Sequence, residues 1–409
     1  MKIGLLAYHS ACNFGATLQL FSTYVYLIKK GHYPIVINWI PADLEEHYAS
    51  QTPKEQFERQ LTVRKELWIE TELCRTVEEV ASVIEKENIE AVIIGSDAVA
   101  QHHPWAERLV FPCKKIIAMR HYTSDAMYPN PYWGVWNGML SQPIPVAVMS
   151  VANQDSAFRF IPNKTKRAMK HSIAQYSYLS VRDSWTRDMM EYLSDGQCIP
   201  DITPDPVFAF NQNAISQLPT LSEIREKFQL PEKYILVSLL DYYRQSVTQE
   251  WLEEFENIAT QHGYICMTLP FSHGKSFGSL SKEIPLPLNA MEWYALIKHS
   301  SAYIGNNMHP IIVSLHNQVP FFCFDTYGTT HLNGLVTSDA SSKIKHILTE
   351  ADMGDYRVSC LRKNCPLPTP TEVFDKLQSY DKKKVKAFAD DYLSRYNTMM
   401  DNILKAFKL

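Results

Sequence analysis

Residues 301–328, SAYIGNNMHPIIVSLHNQVPFFCFDTYG, decide how this chain is read. Ala302 to Gly305 is a short apolar run, and Pro310 with Ile311, Ile312 and Leu315 marks a helix with a first-turn proline and a buried stripe. Gln318 and Pro320 close that helix, and Phe321 to Phe324 form a second buried strand. Strand, turn, helix, strand is the repeating unit of a parallel α/β sheet. Ligands bind such sheets outside the carboxyl ends of the strands. Here that position holds Asn306, Asn307, Met308 and His309, and the next strand empties the same way into Asp325, Tyr327 and Gly328. A helix N-terminus carries about half a positive charge and unpaired N–H groups, so the turn suits an anion, with a protonated His309 completing the attraction. The competing reading makes His309 an N-cap and the asparagines turn formers.

The start of the chain repeats this plan. Lys2 to Tyr8 reads as a buried strand and His9 to Gly15 as a polar loop; Leu20, Phe21, Tyr24, Leu27 and Ile28 then share one face of a helix closed by Gly31. Tyr33 to Ile40 is the next strand. Asn13, Phe14 and Gly15 therefore occupy the same topological position as Asn307 to His309 in the other half. Asn13 and Gly15 are candidates for anion or donor binding; the competing role for Gly15 is close packing.

Between these two ends, residues 41–90 are charged, with helical spacing through Phe57, Leu61, Leu67 and through Val80, Val83, Ile84, which predicts a helical insertion. Glu90 to Gly95 is a strand that delivers Ser96 and Asp97. From His102 to Pro143 the chain is rich in Tyr, Trp and Pro, suited to stacking on a sugar or to an irregular hydrophobic satellite core. Tyr178 to Val181 is a strand ending at Arg182 and Asp183, ahead of a helix beginning near Ser184. An arginine so placed suits a carboxylate or phosphate because its planar fork binds both oxygens; a structural contact with Asp183 or Asp205 competes. The segment DITPDP (201–206) is stiffened by proline and ends a first domain.

Tyr234 to Leu240 opens a second α/β domain, whose loop Phe271 to Gly278 carries His273 and Lys275 and whose later loop carries His331 and Asn333. Glu372 to Leu409 reads as helical, with Lys382, Lys383, Lys384 and Lys386 forming a solvated face or a weak contact with anionic lipid. The expected division is a first domain over 1–210, a second over 211–380 and a C-terminal helix over 381–409.

The 409-residue length suits two domains of roughly 200 residues each. A net charge of −4 argues against a nucleic-acid groove. No apolar run approaches the ~18 residues of a membrane helix, and MKIGLLAYHS reads as the first strand of a cytoplasmic protein. The eight cysteines are scattered, without a C-x-x-C pair, as expected of buried thiols in a reducing compartment, and the adjacent His102 and His103 point apart. No metal site is expected. No two glycines are separated by a single residue, which excludes G-x-G-x-x-G; G-x-x-x-x-G-K-[ST] and D-x-D are also missing. A bound phosphate would thus be held without the common glycine loops.

At these residues the chain resembles the polysaccharide pyruvyl transferase family. KIGLLAYHSACNFGATLQ is similar to its opening strand, Asn-aromatic-Gly turn and helix; VIIGSDAV to its strand ending in Gly-Ser-Asp; LSVRDSWT to its Ser-Val-Arg-acidic segment; PDPVF to its Asp-Pro turn; and YIGNNMHPIIVSLHNQVPFFCFDTYG to its histidine-containing turn and helix. The resemblance implies an α/β fold of two Rossmann-like domains facing across a cleft, as in GT-B glycosyltransferases, with the C-terminal helix returning to the first domain. It also implies transfer of the enolpyruvyl unit of phosphoenolpyruvate, a co-substrate rather than a cofactor, to two hydroxyls of a saccharide, forming a pyruvate ketal in surface polysaccharide synthesis.

On that reading His309 matches the family histidine as proton donor and acceptor and Arg182 the family arginine as anion clamp. Asn13, Gly15, Asn307, Lys275 and His331 fall to the donor, and Asp97, Asp325 and Tyr327 to the acceptor side of the cleft. Many members have an arginine two residues before the histidine, where this chain has Asn307; Lys275, Arg244 or His331 would then supply the missing charge. The expected partners are a small-molecule donor and a saccharide acceptor, free or lipid-linked, met in the cytoplasm or at the inner face of the membrane. Two alternatives are a metal-independent glycosyltransferase using a nucleotide sugar and a non-catalytic saccharide-binding member.

Overall fold

Two short apolar runs set the framework of the first domain: Lys2–Leu6 (β1) and Ala91–Ile94 (β3) lie side by side, with Tyr33–Val36 (β2) on the outer edge. The computed structural model describes residues 1–113, 116–240, 247–331, 336–362 and 365–408, leaving the side chains of 110–113, 116, 117, 330, 331, 336 and 337 aside. Val146–Val151 (β4), Tyr178–Val181 (β5) and Asp201–Ile202 (β6) complete a parallel sheet of order β2-β1-β3-β4-β5-β6. The second domain has Tyr234–Ser238 (β7), Ile265–Thr268 (β8), Ala302–Gly305 (β9), Phe321–Asp325 (β10) and Arg357–Ser359 (β11), again all parallel, in the order β8-β7-β9-β10-β11. Each sheet thus begins second, first, third, and the chain reverses direction across the sheet between its first and third strands. Ligand crevices form at that switch point. In the first domain it lies between the loops holding Asn13 and Asp97; in the second, the loop after β9 holds Asn306 and Asn307.

The first helix, Phe14–Lys29 (α1), was expected to bury one face. It is instead buried almost all round, from Phe14 to Leu27, while Ile28 is 50% exposed. One side covers the first sheet and the other meets the second domain, where the rings of Phe14 and Trp293 lie 5.5 Å apart. A single hydrophobic core consequently runs from Ile3 through α1 to the C-terminal helix and joins the domains. The segment that follows the first domain packs on the same helix: Asn213 donates to Ser22.

Residues 41–90 form the expected helical insertion, but its buried face differs. In the helix Lys54–Leu67 the inward residues are Gln56, Gln60, Val63 and Arg64, not Phe57, Leu61 and Leu67. Gln56 exchanges two hydrogen bonds with the Leu288 backbone (2.7 and 2.8 Å) and Gln60 donates to Thr17 (2.9 Å), so this face satisfies polar groups of both domains. Of the aromatic stretch 102–143, Tyr132, Trp133 and Trp136 join the core, whereas Trp105 is exposed.

The helix Ser184–Leu193 (α2) begins at Asp183, whose Oδ1 accepts from Thr186 N at 2.7 Å, and Met308–Asn317 (α3) follows β9. Lys343–Glu350 (α4) is capped by Ser342. The C-terminal segment is two helices, Pro370–Gln378 and Lys382–Ala406 (α5), interrupted at Ser379–Asp381. The helix α5 packs on α3 and also returns to the first domain, where Tyr396 meets Tyr26 edge-on at 5.8 Å and Arg395 donates to Ile202 O. In the lysine cluster Lys384 pairs with Asp352 and Lys386 with Asp390, which weakens the lipid-contact reading. Among the described residues no helix is long and apolar enough to cross a membrane.

Candidate active site

The switch points of the two sheets face each other, and His309 projects from the second domain against the first. Gly15 is required there: a Cβ on it would lie 2.1 Å from Cγ and Nδ1 of the imidazole. Close packing is therefore what Gly15 does, and the atom it packs against is the candidate catalytic ring. Asn13 accepts from Gly15 N (2.9 Å) and Ala16 N (3.3 Å) and so caps α1. Asn307 is the N-cap of α3 but makes no side-chain cap bond, and Pro310 lies in the first turn. His309 is thus inside the helix rather than its cap.

Behind the histidine is a buried ionic network. Asp205 Oδ2 accepts from Gln19 (2.5 Å) and Arg182 (2.8 Å), while its Oδ1 accepts from Val207 N (2.9 Å). His309 Nε2 lies 3.8 Å from the same Oδ2 and, although buried, has no hydrogen-bond partner. The second arm of Arg182 reaches Asp97 Oδ1 at 3.2 Å. The expected clamp is corrected here: the guanidinium fork is filled by two protein carboxylates, so Arg182 holds Asp205 and Asp97 in place instead of facing a ligand. Asp97 adopts a left-handed φ of +83°, a conformation costly for a non-glycine residue, and is fixed by Arg182 and by the Ala152 N–H, which donates to its carbonyl. Burial pushes the Asp97 carboxyl up, but Arg182, Lys343 and His309 together hold it well below the usual range.

Burial lowers the pKa of His309, and Arg182 and Lys343 lower it further, with Asp205 and Asp97 opposing in part. The free protein therefore holds a neutral imidazole at neutral pH, and the expectation of a protonated His309 as the anion's cation is corrected. The basic side chain on this wall is Lys343, which the sequence reading missed. It is 8% exposed, lies over the Tyr327 ring (5.2 Å), and has no ion-pair partner among the described residues. Burial and Arg182 lower its pKa. A lysine in the first turn of a helix opposes the helix dipole, and that misplacement is the signal the sequence carried. Asp325 is corrected as well: it is completely buried, accepts from Ser342 Oγ and Arg357 Nε (both 2.5 Å), and supports the cap that precedes Lys343 instead of lining the cleft.

Asn13, Asp97, Asn307, His309, Tyr327 and Lys343 share the wall of one cavity of about 300 Å³. This volume is at the low end of the ~300–1,000 Å³ of small-molecule sites. Two smaller chambers adjoin it, about 190 Å³ beside Gly15 and Ser272 and about 150 Å³ beside Asp183 and Ser341; all three share Tyr327. Lys275 is exposed and bonds Gln51 (3.2 Å) across the domains, so it is not the substitute cation. The His331 side chain, Arg244 and Asn333 lie outside the described residues. His102 accepts from Tyr128 N and His103 bonds Glu107, and no cluster of metal ligands exists among the described residues.

Similarity to known proteins agrees with this geometry. The fold matches UDP-GlcNAc 2-epimerase from Neisseria meningitidis bound to UDP-GlcNAc (TM-score 0.53, 10% identity, 99% of this chain and 100% of that one). It also matches Rickettsia bellii UDP-N-acetylglucosamine 2-epimerase (0.53, 9%, 100% and 97%) and Arabidopsis thaliana UGT89C1 complexed with UDP (0.52, 8%, 100% of both chains). At these identities the likeness establishes the fold alone, that of GT-B enzymes. No curated protein matches by sequence. The family model of polysaccharide pyruvyl transferase matches residues 13–327, from the N-cap of α1 to the tyrosine shared by all three chambers. The chain belongs to the polysaccharide pyruvyl transferase family.

Proposed function

We propose that this protein transfers the enolpyruvyl unit of phosphoenolpyruvate to two hydroxyls of one saccharide, giving a cyclic pyruvate ketal and inorganic phosphate. The observation that carries the reading is the buried, unpartnered Nε2 of His309 beside Asp205, on the wall that also presents Lys343. Lys343 is the charge for the donor's phosphate or carboxylate, compensating for Asn307 where other members have arginine. The α3 N-terminus, whose cap leaves N–H groups without a side-chain acceptor, adds to it.

The imidazole of His309 exchanges the proton, and Asp205, 3.8 Å from Nε2, stabilises the imidazolium when it forms. One saccharide hydroxyl attacks C2 of the donor as C3 is protonated; the second displaces phosphate from C2. Two hydroxyl protons are lost: one ends on C3, making the methyl group, and the other leaves on hydrogen phosphate, so His309 is returned unchanged. The test is to incubate the protein with phosphoenolpyruvate or with nucleotide sugars and a saccharide panel, following free phosphate against free nucleotide. Phosphate release dependent on saccharide supports the reading; nucleotide release without any response to phosphoenolpyruvate replaces it with glycosyl transfer.

A further inference from the structure

The cavity that presents Lys343 and His309 also has polar lining from the first domain that the donor chemistry leaves unused. That lining is built by Asp125, from the aromatic stretch 102–143, and Tyr8, from the end of β1. Asp125 is 5% exposed; its Oδ2 accepts from the Tyr8 hydroxyl at 2.8 Å, while Oδ1 is buried without a hydrogen-bond partner, and burial raises its pKa against the opposing Thr123 and Tyr8 side chains. Tyr8 is in turn held by Gln101 Nε2 (3.3 Å), which also donates to Ala98 O (2.7 Å). Asp125 is fixed from below, since Asn130 Nδ2 donates to its backbone carbonyl at 2.7 Å. A buried carboxylate oxygen left unsatisfied is costly unless a ligand supplies the donor. A sugar hydroxyl, which can donate to Oδ1, is a group of suitable reach. Tyr48 and Tyr122 border the same space, and Tyr122 is backed by the His103 ring at 3.7 Å, which presents an aromatic surface to sugar C–H bonds.

We propose that Asp125, oriented by Tyr8, is the acceptor subsite: its Oδ1 accepts a hydrogen bond from a ring hydroxyl of a neutral pyranose and turns two further hydroxyls toward Lys343 and His309. The assignment rests on the pyruvyl-transfer reading for its second half, the direction in which the sugar faces, but the binding of the sugar is independent of the donor. The test uses the full chain and a panel of methyl glycosides of galactose, mannose, glucose and N-acetylmannosamine, with binding followed by saturation-transfer NMR and calorimetry. Wild-type protein is expected to bind at least one glycoside. Asp125→Asn, nearly isosteric, should weaken that glycoside about tenfold or more, the scale of one buried hydrogen bond left unmade. Tyr8→Phe should weaken it less, and phosphoenolpyruvate affinity should stay within about twofold of wild type in both, as expected where no direct contact is lost. Thermal unfolding of each variant separates loss of fold from loss of contact. Failure of wild type to bind any glycoside, or unchanged glycoside affinity in a folded Asp125→Asn, overturns this inference. Glycoside binding lost in Asp125→Asn without any phosphoenolpyruvate binding by wild type keeps the saccharide subsite and overturns the donor reading alone.

Discussion

Two turns of the same kind meet in this molecule, and they use the same residue type differently. After β1, Asn13 caps α1 with its side chain, satisfying the N–H groups of Gly15 and Ala16. After β9, Asn307 caps α3 with its backbone alone, and two residues later His309 keeps a buried nitrogen unpaired. The first turn is complete in itself and lends its glycine as a floor for the imidazole. The second is incomplete, and a site is where such incompleteness is tolerated.

That contrast predicts that substitutions in the two turns separate activity from stability. The largest effect is expected from His309→Ala, which should cut turnover by about 10²–10⁴, the usual worth of a positioned acid–base group, while removal of the buried ring costs about 1–3 kcal/mol in urea unfolding at pH 8 and leaves the protein folded. Stability and turnover measured on the same preparation check this, and an active variant would make His309 a packing residue. Its pH dependence has a definite sign. The folded pKa lies below the ordinary ~6.5, so between the two values the unfolded chain binds more protons and stability falls as the pH drops below about 6.5. His309→Ala should remove that part of the acid limb.

Gly15→Ala comes next, because the added methyl cannot share space with the imidazole. A ring displaced by about 1 Å is expected to lose about 10² in kcat/KM, and the overpacking should cost about 1–3 kcal/mol in denaturant unfolding. Normal activity in Gly15→Ala would show that the ring can move freely. The smallest effects distinguish the asparagines. Asn13→Ala should destabilise by about 1 kcal/mol, as loss of a side-chain cap does. Asn307→Ala should change stability by less than about 0.5 kcal/mol, while Asn307→Arg should tighten donor binding. Equal stability losses in the two alanine variants would erase the contrast.

The same contrast explains what could be read in the sequence. The strand–turn–helix units around Asn13 and His309 were legible because apolar runs, a first-turn proline and helix-closing residues are local signals, and both turns lie where the parallel topology puts strand ends. Asp97, Tyr327 and His309 follow from that rule. Arg182 was placed correctly at the end of β5, but its partners depend on how three loops converge, which spacing does not encode. Asp205 was seen as part of an Asp-Pro turn and as a competing contact for Arg182, not as the partner of His309. Lys343 lies on the far side of β10, in a helix whose relation to the cleft depends on Asp325 and Ser342. The glutamine face of Lys54–Leu67 was illegible for another reason: periodicity of apolar residues reports burial against apolar surface, and this face is buried against polar groups of backbone and side chains.

Lys343 also gives the site its alkaline limit. Its folded pKa is lowered by burial and by Arg182, so an anion that needs the ammonium should bind less tightly as pH rises through a value below the ordinary lysine range, about 10.4. Calorimetric titration of phosphoenolpyruvate into wild-type protein and Lys343→Met at pH 7, with inorganic phosphate as a second ligand, tests the central claim most directly. The account predicts measurable binding to wild type and a loss of about tenfold or more in the variant, as for one charge-assisted contact. Undiminished phosphoenolpyruvate affinity in a folded Lys343→Met, or no binding to the wild type, would contradict it.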